Sequence, residues 1–473
     1  MVLSFLIIIC GIICTLSHHY KKIIRLLTLS STICIFLWMI KIIVLNTYYD
    51  FDGLSAIFII LTVMILPICL LFTFNNGISR IDEKTVVLCL LVLEFLLIIL
   101  FTTHDLFIFF IAFEGSIIPM IVILLLFGQR ERRVKATYYF LFYTLIGALF
   151  FFIGLIVCYN WYGTTNYDIL YLLIHQFKCG TTINIDNELL TQLLIFICLL
   201  IPFLIKTPTF PFHLWLPEAH VEAPAFGSII LASLLLKIGG YGILRYNILL
   251  FNEICWRYAF LFIGLLIVSI ILASLYALRQ QDIKKIIAYS SIAHMNFALV
   301  GLFTSSINGV IGGLLIMIGH SFISGALFLL IGILYARYHT RNIFYLNGLA
   351  MMMPIFSIFF GLFTFASMGC PGFATFFGEL FTLIGSYQFN KIIFICLLIS
   401  VFLNGTYPIL LYTKLNFGVL VKASIIKRYR DITRCEFICL VSFTIPTIAL
   451  GFYPQYVIDL CMLQLSSQLI NGL

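Results

Sequence analysis

Apolar stretches of about twenty residues, parted by short polar breaks, recur along nearly the whole of this 473-residue chain. An α-helix rises about 1.5 Å per residue, so roughly twenty residues cross the ~30 Å hydrocarbon core of a bilayer; barrel strands are about half as long and alternate. In lipid the backbone has no water to bond, so runs of this length must close their hydrogen bonds as helices. The expected fold is therefore all-α: a polytopic membrane protein of about 14 transmembrane helices. The spans fall near 3–17, 23–45, 54–75, 84–102, 104–127, 134–159, 189–206, 223–245, 256–279, 284–303, 308–336, 349–386, 391–413 and 435–462. Composition agrees, with 10% charged residues against about 25% in a soluble domain. Residues 1–16 are apolar from the start without a basic stretch before them, and are expected to be membrane helix rather than a cleaved signal.

Lysine and arginine sort by side. Twenty lie in breaks that follow odd-numbered spans and five (Lys41, Lys178, Arg245, Arg257, Lys391) on the opposite side. The remaining two, Lys206 and Lys237, fall inside spans. The positive-inside rule places the basic loops in the cytoplasm or matrix and both termini outside. The net charge of +8 is thus topological and calls for no nucleic-acid partner. The 14 cysteines lie mostly in apolar helices and form neither a CxxC pair nor a Cys/His set with metal spacing, so neither zinc nor iron–sulfur chemistry is expected.

The seventh and twelfth spans are interrupted, by Pro208 and Pro211 and by Pro371–Gly372. They stand five spans apart. Five is odd, so the second block enters the membrane upside down relative to the first, the mark of an inverted-topology repeat. Four regions follow: N-terminal helices 1–80, five-helix repeats 81–245 and 246–420 with one broken helix each, and a C-terminal helix in 421–473.

Six ionisable side chains fall near span centres: Glu114, Lys206, Lys237, His294, His320 and Glu379. Unpaired in lipid they would cost on the order of 15 kcal/mol together, so they must face the bundle interior, paired or hydrated. Each has a bland reading: a structural carboxylate, its lysine counter-ions, neutral packing histidines, a helix cap. Acid, base and imidazole at one depth in successive helices instead fit a proton relay. Burial disfavours a charged form and an opposite charge favours it, so making or breaking a Glu114–Lys206 contact would switch the proton affinity of Lys206. Glu94 sits mid-span in a second tier, and Asp105 reads as a helix cap. His213, Glu218, His220 and Glu222 read as a polar vestibule before a metal site, and Asp282, Lys284 and Lys285 as an interfacial charge network.

The stretch KTPTFPFHLWLPEAHVEAPAFGSIILASLLLKIGGYGILR at 206–245 resembles the signature of the antiporter-like proton-channel subunits of respiratory complex I. LRQQDIKKIIAYSSIAHMN at 278–296 and GHSFISGALFL at 319–329 carry the same resemblance, which covers roughly 84–415; LGFYPQYVIDL at 450–460 is similar to the family's last helix. The resemblance implies that Glu114 and Lys206 form a buried pair and that Lys237 is a central relay lysine. It places His294 and His320 on a connecting axis ending at Glu379. The relatives called chains 2 and 5 carry a lysine in the broken twelfth helix, where Glu379 stands here, which sets this chain apart from them; the resemblance also implies those chains as neighbours among the membrane-arm subunits, with lipid around them. FMN, iron–sulfur clusters and ubiquinone are then expected in partner subunits and none in this chain. The 48 phenylalanines and many isoleucines suggest an AT-rich organellar gene, hence the mitochondrial inner membrane, with a bacterial plasma membrane second. A cation/proton antiporter subunit of an Mrp-type complex shares the fold and most of the motif and is the alternative. A haem-bearing oxidase subunit, with His294 and His320 as ligands, is more distant.

Overall fold

A computed structural model describes residues 21–44, 52–75, 80–128, 130–176, 185–418 and 431–470; the expected span 3–17 lies outside them. The helices are α1 (Lys21–Val44), α2 (Gly53–Asn75), α3 (Arg80–Thr102), α4 (Leu106–Gly115), α5 (Ile117–Phe127), α6 (Arg133–Tyr162), α7 (Tyr167–Gln176), α8 (Ile185–Lys206), α9 (Trp215–Glu222) and α10 (Ala225–Ile248). They continue as α11 (Asn252–Arg279), α12 (Ile283–Phe303), α13 (Ile307–Tyr338), α14 (Leu349–Met352), α15 (Pro354–Ser367), α16 (Ala374–Phe389), α17 (Lys391–Asn416), α18 (Arg434–Phe452) and α19 (Gln455–Ile470). Among the described residues no β-strand forms, and twelve helical stretches are long and apolar enough to cross a membrane. The expected span 349–386 is outside those twelve: it consists of the shorter helices α15 and α16, parted by turns at 368–373, with the one-turn α14 before them.

The span 104–127 forms one membrane-length stretch, Leu106–Phe127: α4 passes into α5 through Ser116, whose backbone stays helical, its amide donating to the Ala112 carbonyl at 3.0 Å and its hydroxyl to that of Phe113 at 2.8 Å. Glu114 therefore stands midway along it. The span 435–462 stops at Phe452, and α19 begins after Tyr453–Pro454. The stretch between the sixth and seventh spans carries the short helix α7.

α10 is buried along its whole length, α13 from Gly309 to Leu334 and α12 along 94% of its most apolar stretch, whereas α1, α6 and α17 bury only 33% of theirs. The first three are the centre of the bundle and the last three its rim. Small residues set how closely that centre packs. A Cβ at Gly312 of α13 would lie 2.5 Å from the Thr382 amide nitrogen and 2.8 Å from the Gly378 carbonyl oxygen of α16, so only glycine lets these two backbones touch. That contact brings α16, and Glu379 on it, against the central helices. In α10, π-turns at Leu231–Leu235 and Ile243–Ile248 flank the α-helical piece that bears Lys237. Such turns mark places where a helix is rewound to aim a side chain.

Candidate functional site

Lys206 is the last residue of α8, where the chain leaves the helix for the Pro208–Pro211 turn. The helix end favours a cation there through its free carbonyls. Its side chain is buried and its Nζ has no hydrogen-bond partner; it stands 4.9 Å from the centre of the Phe113 ring and 5.8 Å from that of Phe140. Glu114, one residue beyond Phe113, also has a buried oxygen without a partner. The expected Glu114–Lys206 pair is thus an electrostatic neighbourhood rather than an ion pair within 4.0 Å. The Phe113 ring lies against the ammonium, where a cation–π contact holds it.

Lys237 follows on α10, where Gly239 packs against the side chains of Lys206 and Thr207. The Lys237 Nζ lies 2.6 Å from the Ala232 carbonyl oxygen inside the first π-turn and 2.8 Å from His320 Nδ1 on α13. The His320 and His294 ring centres are 5.7 Å apart. A small cavity beside them is lined by Ser290, Ser324, Ser367 and Thr375 and has about 10 Å³ of room, enough for roughly one water. His294 on α12 reaches Glu379 Oε1 through Nδ1 at 4.0 Å and the Tyr407 hydroxyl of α17 through Nε2 at 3.3 Å. Glu379 sits at the start of α16, just past the break, with its carboxylate against Gly369. Four of the six expected residues therefore form one continuous buried row, Lys237–His320–His294–Glu379. Glu114 and Lys206 stand at its near end without a hydrogen bond into it.

Two residues of this region were not singled out in the sequence. Tyr407 looks there like one more aromatic in an apolar span, and its only signal is the polar run Asn404–Gly405–Thr406 before it. Arg245, sorted above into a loop, is buried to 2% exposure at the end of α10. Glu94 is fully buried with both carboxylate oxygens unpartnered. Asp105 caps α4, accepting from the Phe107 amide at 2.9 Å.

The four polar residues around the first break disperse. Glu218 pairs with Lys285 at 3.0 Å, and the His220 ring stacks on Phe328 at 4.5 Å. His213 is buried in the turn before α9, and that burial pulls its imidazole below the ordinary histidine value. Among the described residues no group of three or more His, Cys, Asp or Glu is arranged to hold a metal ion. A polar cavity of about 420 Å³ does open at the pole of the basic loops, lined among others by Arg130, Glu218, Glu222, Arg279 and Asp282. Lys284 is buried nearby and donates to the Ala223 carbonyl at 2.7 Å, while Asp282 caps α12.

Broken helices around a buried row of lysine, histidine and glutamate define an antiporter-like membrane protein. The family model described as NADH:quinone oxidoreductase/Mrp antiporter, transmembrane, matches residues 103–404, and the chain belongs to that family. Among its curated relatives is NADH-ubiquinone oxidoreductase chain 4 of Chondrus crispus, 41% identical over 87% of this chain and 81% of that one. The protein of the same name from Marchantia polymorpha is 39% identical over 90% and 83%. A chain of respiratory complex I from Thermus thermophilus shares the fold with a TM-score of 0.85 at 24% identity, covering 99% of this chain and 98% of that one. A chain of the Mrp complex from Dietzia sp. does so with a TM-score of 0.86 at 17% identity, covering 99% and 97%.

Proposed function

We propose that this chain is a proton-translocating membrane-arm subunit of respiratory complex I, in which Glu114, Lys206, Lys237, His320, His294 and Glu379 carry H+ through the membrane centre. The observation that supports this most is the unbroken order Lys237–His320–His294–Glu379, with its 2.8 Å, 5.7 Å and 4.0 Å steps. An ammonium can hand a proton to an imidazole nitrogen, and an imidazole can accept on one nitrogen while releasing from the other. One water fits the small cavity beside the two rings, the widest step of the row. Glu379 receives the proton beside a helix break. At the other end, movement of Glu114 relative to Lys206 changes how strongly that lysine holds its proton, which gives the rest of the complex a handle on the row.

In this reading repeats 81–245 and 246–420 are two proton half-channels, flanked by regions 1–80 and 421–473. NADH-to-ubiquinone electron transfer, with its FMN, iron–sulfur clusters and quinone, takes place in partner subunits. Chains 2 and 5 are the antiporter-like neighbours, and the mitochondrial inner membrane is the location. The Mrp-type alternative draws on the equally close fold of the Mrp chain and is tested by sodium-dependent proton flux. The experiment for the main reading is Lys206→Met or Glu114→Gln in the whole complex, with assembly read from a native gel stained for NADH dehydrogenase activity. An assembled variant is expected to lose proton pumping. Normal pumping in it would contradict the proposed roles.

A further inference from the structure

Lys237, Tyr241 and Arg245 follow one another at four-residue steps along α10, which puts Arg245 about 12 Å beyond Lys237 at 1.5 Å per residue. Arg245 is held through its two terminal nitrogens, while its Nε has no partner among the described residues. It reaches Asp52 Oδ2 at 2.7 Å, the Tyr241 hydroxyl at 2.8 Å, Ser55 Oγ at 3.0 Å and His104 Nδ1 at 3.4 Å. The Tyr167 ring covers its guanidinium at 4.8 Å. His104 in turn lies 3.3 Å from Asp168. Side-chain exposure rises outward along this set, from 2% at Arg245 through 27% at Asp52 and 35% at His104 to 66% at Asp168. A string of polar side chains, two of them acids, therefore leads inward from the pole opposite the basic loops and ends on a guanidinium.

What lies between that guanidinium and Lys237 is aromatic. The Tyr241 ring is wedged between Phe101 at 5.0 Å and Phe58 at 5.4 Å, with Phe109 at 6.3 Å. The Tyr241 hydroxyl faces outward to Arg245 and Ser55. Among the described residues no hydrogen bond joins it to Lys237. A guanidinium neither gives up nor accepts a proton in a protein, and a fixed cation over a dry constriction repels a proton entering from outside. A release path would need a titratable group where Arg245 stands.

We propose that Arg245, with the rings of Tyr241, Phe101 and Phe58 beneath it, is an electrostatic plug that closes the first half of the molecule at this pole. A proton on Lys237 then leaves sideways through His320 and not straight out along α10. The proposal rests on the relay reading above but is tested without pumping. An acid–base jump imposes a proton gradient on vesicles carrying the assembled complex, and its decay is followed with a pH dye. Arg245→Gln is expected to speed the decay about tenfold, as a barrier lower by about 1.4 kcal/mol gives. Arg245→Lys restores the cation and the wild-type rate. Adding Lys237→Met to Arg245→Gln suppresses the leak, which a generally loosened complex would not show. Should Arg245→Gln fail to assemble, Arg245→Met with Asp52→Asn removes both charges of the pair and is expected to leak as well. A wild-type decay in an assembled charge-free variant overturns the plug, as does a leak indifferent to Lys237→Met. Unchanged pumping in Lys206→Met would instead overturn the relay reading.

Discussion

At the scale of single residues, the row owes its order to a few short contacts with no redundancy. Lys237 has two partners, the Ala232 carbonyl and His320. His320→Ala leaves only the carbonyl, which accepts a hydrogen bond but relays nothing, so pumping in the assembled complex is expected to fall at least about tenfold, a barrier rise of roughly 1.4 kcal/mol. Tyr407 has a milder part. Its hydroxyl meets His294 Nε2 at 3.3 Å, and a single such bond contributes about 1 kcal/mol. Tyr407→Phe is therefore expected to slow pumping by about fivefold while leaving assembly intact; an unchanged rate would mean that His294 is oriented by packing alone. The six intramembrane residues were legible in the sequence because a charge in an apolar run is conspicuous and costly. Tyr407 was not, since a tyrosine is at home among phenylalanines. Nor was the burial of Arg245, because a charge near the end of a span looks the same whether its side chain turns out to water or in to Asp52.

At the scale of elements, breaks marked by proline were visible and the rewound turns of α10 were not. Pro208, Pro211 and the Pro371–Gly372 pair announce the two interruptions that flank Lys206 and Glu379. The π-turns of α10 carry no residue signature at all. The contact between α13 and α16 is where one added methyl should tell most. At Gly312 it would collide with the α16 backbone around Gly378 and Thr382, and overpacking of this kind costs about 1–3 kcal/mol. Gly312→Ala is expected to lower the thermal stability of the complex. It also widens the 4.0 Å His294–Glu379 approach, so pumping should drop more than NADH oxidation. A variant with both at wild-type level would show that the helices can part without consequence.

At the scale of the whole molecule, twenty-residue periodicity and the sorting of basic residues carried the fold, because a bilayer allows so few ways to satisfy a backbone. The sorting makes its own prediction. Gln281 lines the cavity at the basic pole, and Asp168 is exposed at the other. A membrane-impermeant label should reach a cysteine at 281 only from the basic side and one at 168 only from the opposite side; labelling of both from one side would refute the topology. What the pattern left open was the depth of each charge, which packing decides. The measurement that bears most directly on the central claim is the number of protons moved per NADH oxidised by the reconstituted complex carrying Lys237→Met, beside wild type. If the row Lys237–His320–His294–Glu379 carries protons, the assembled variant moves fewer protons per NADH. An unchanged ratio would contradict the account.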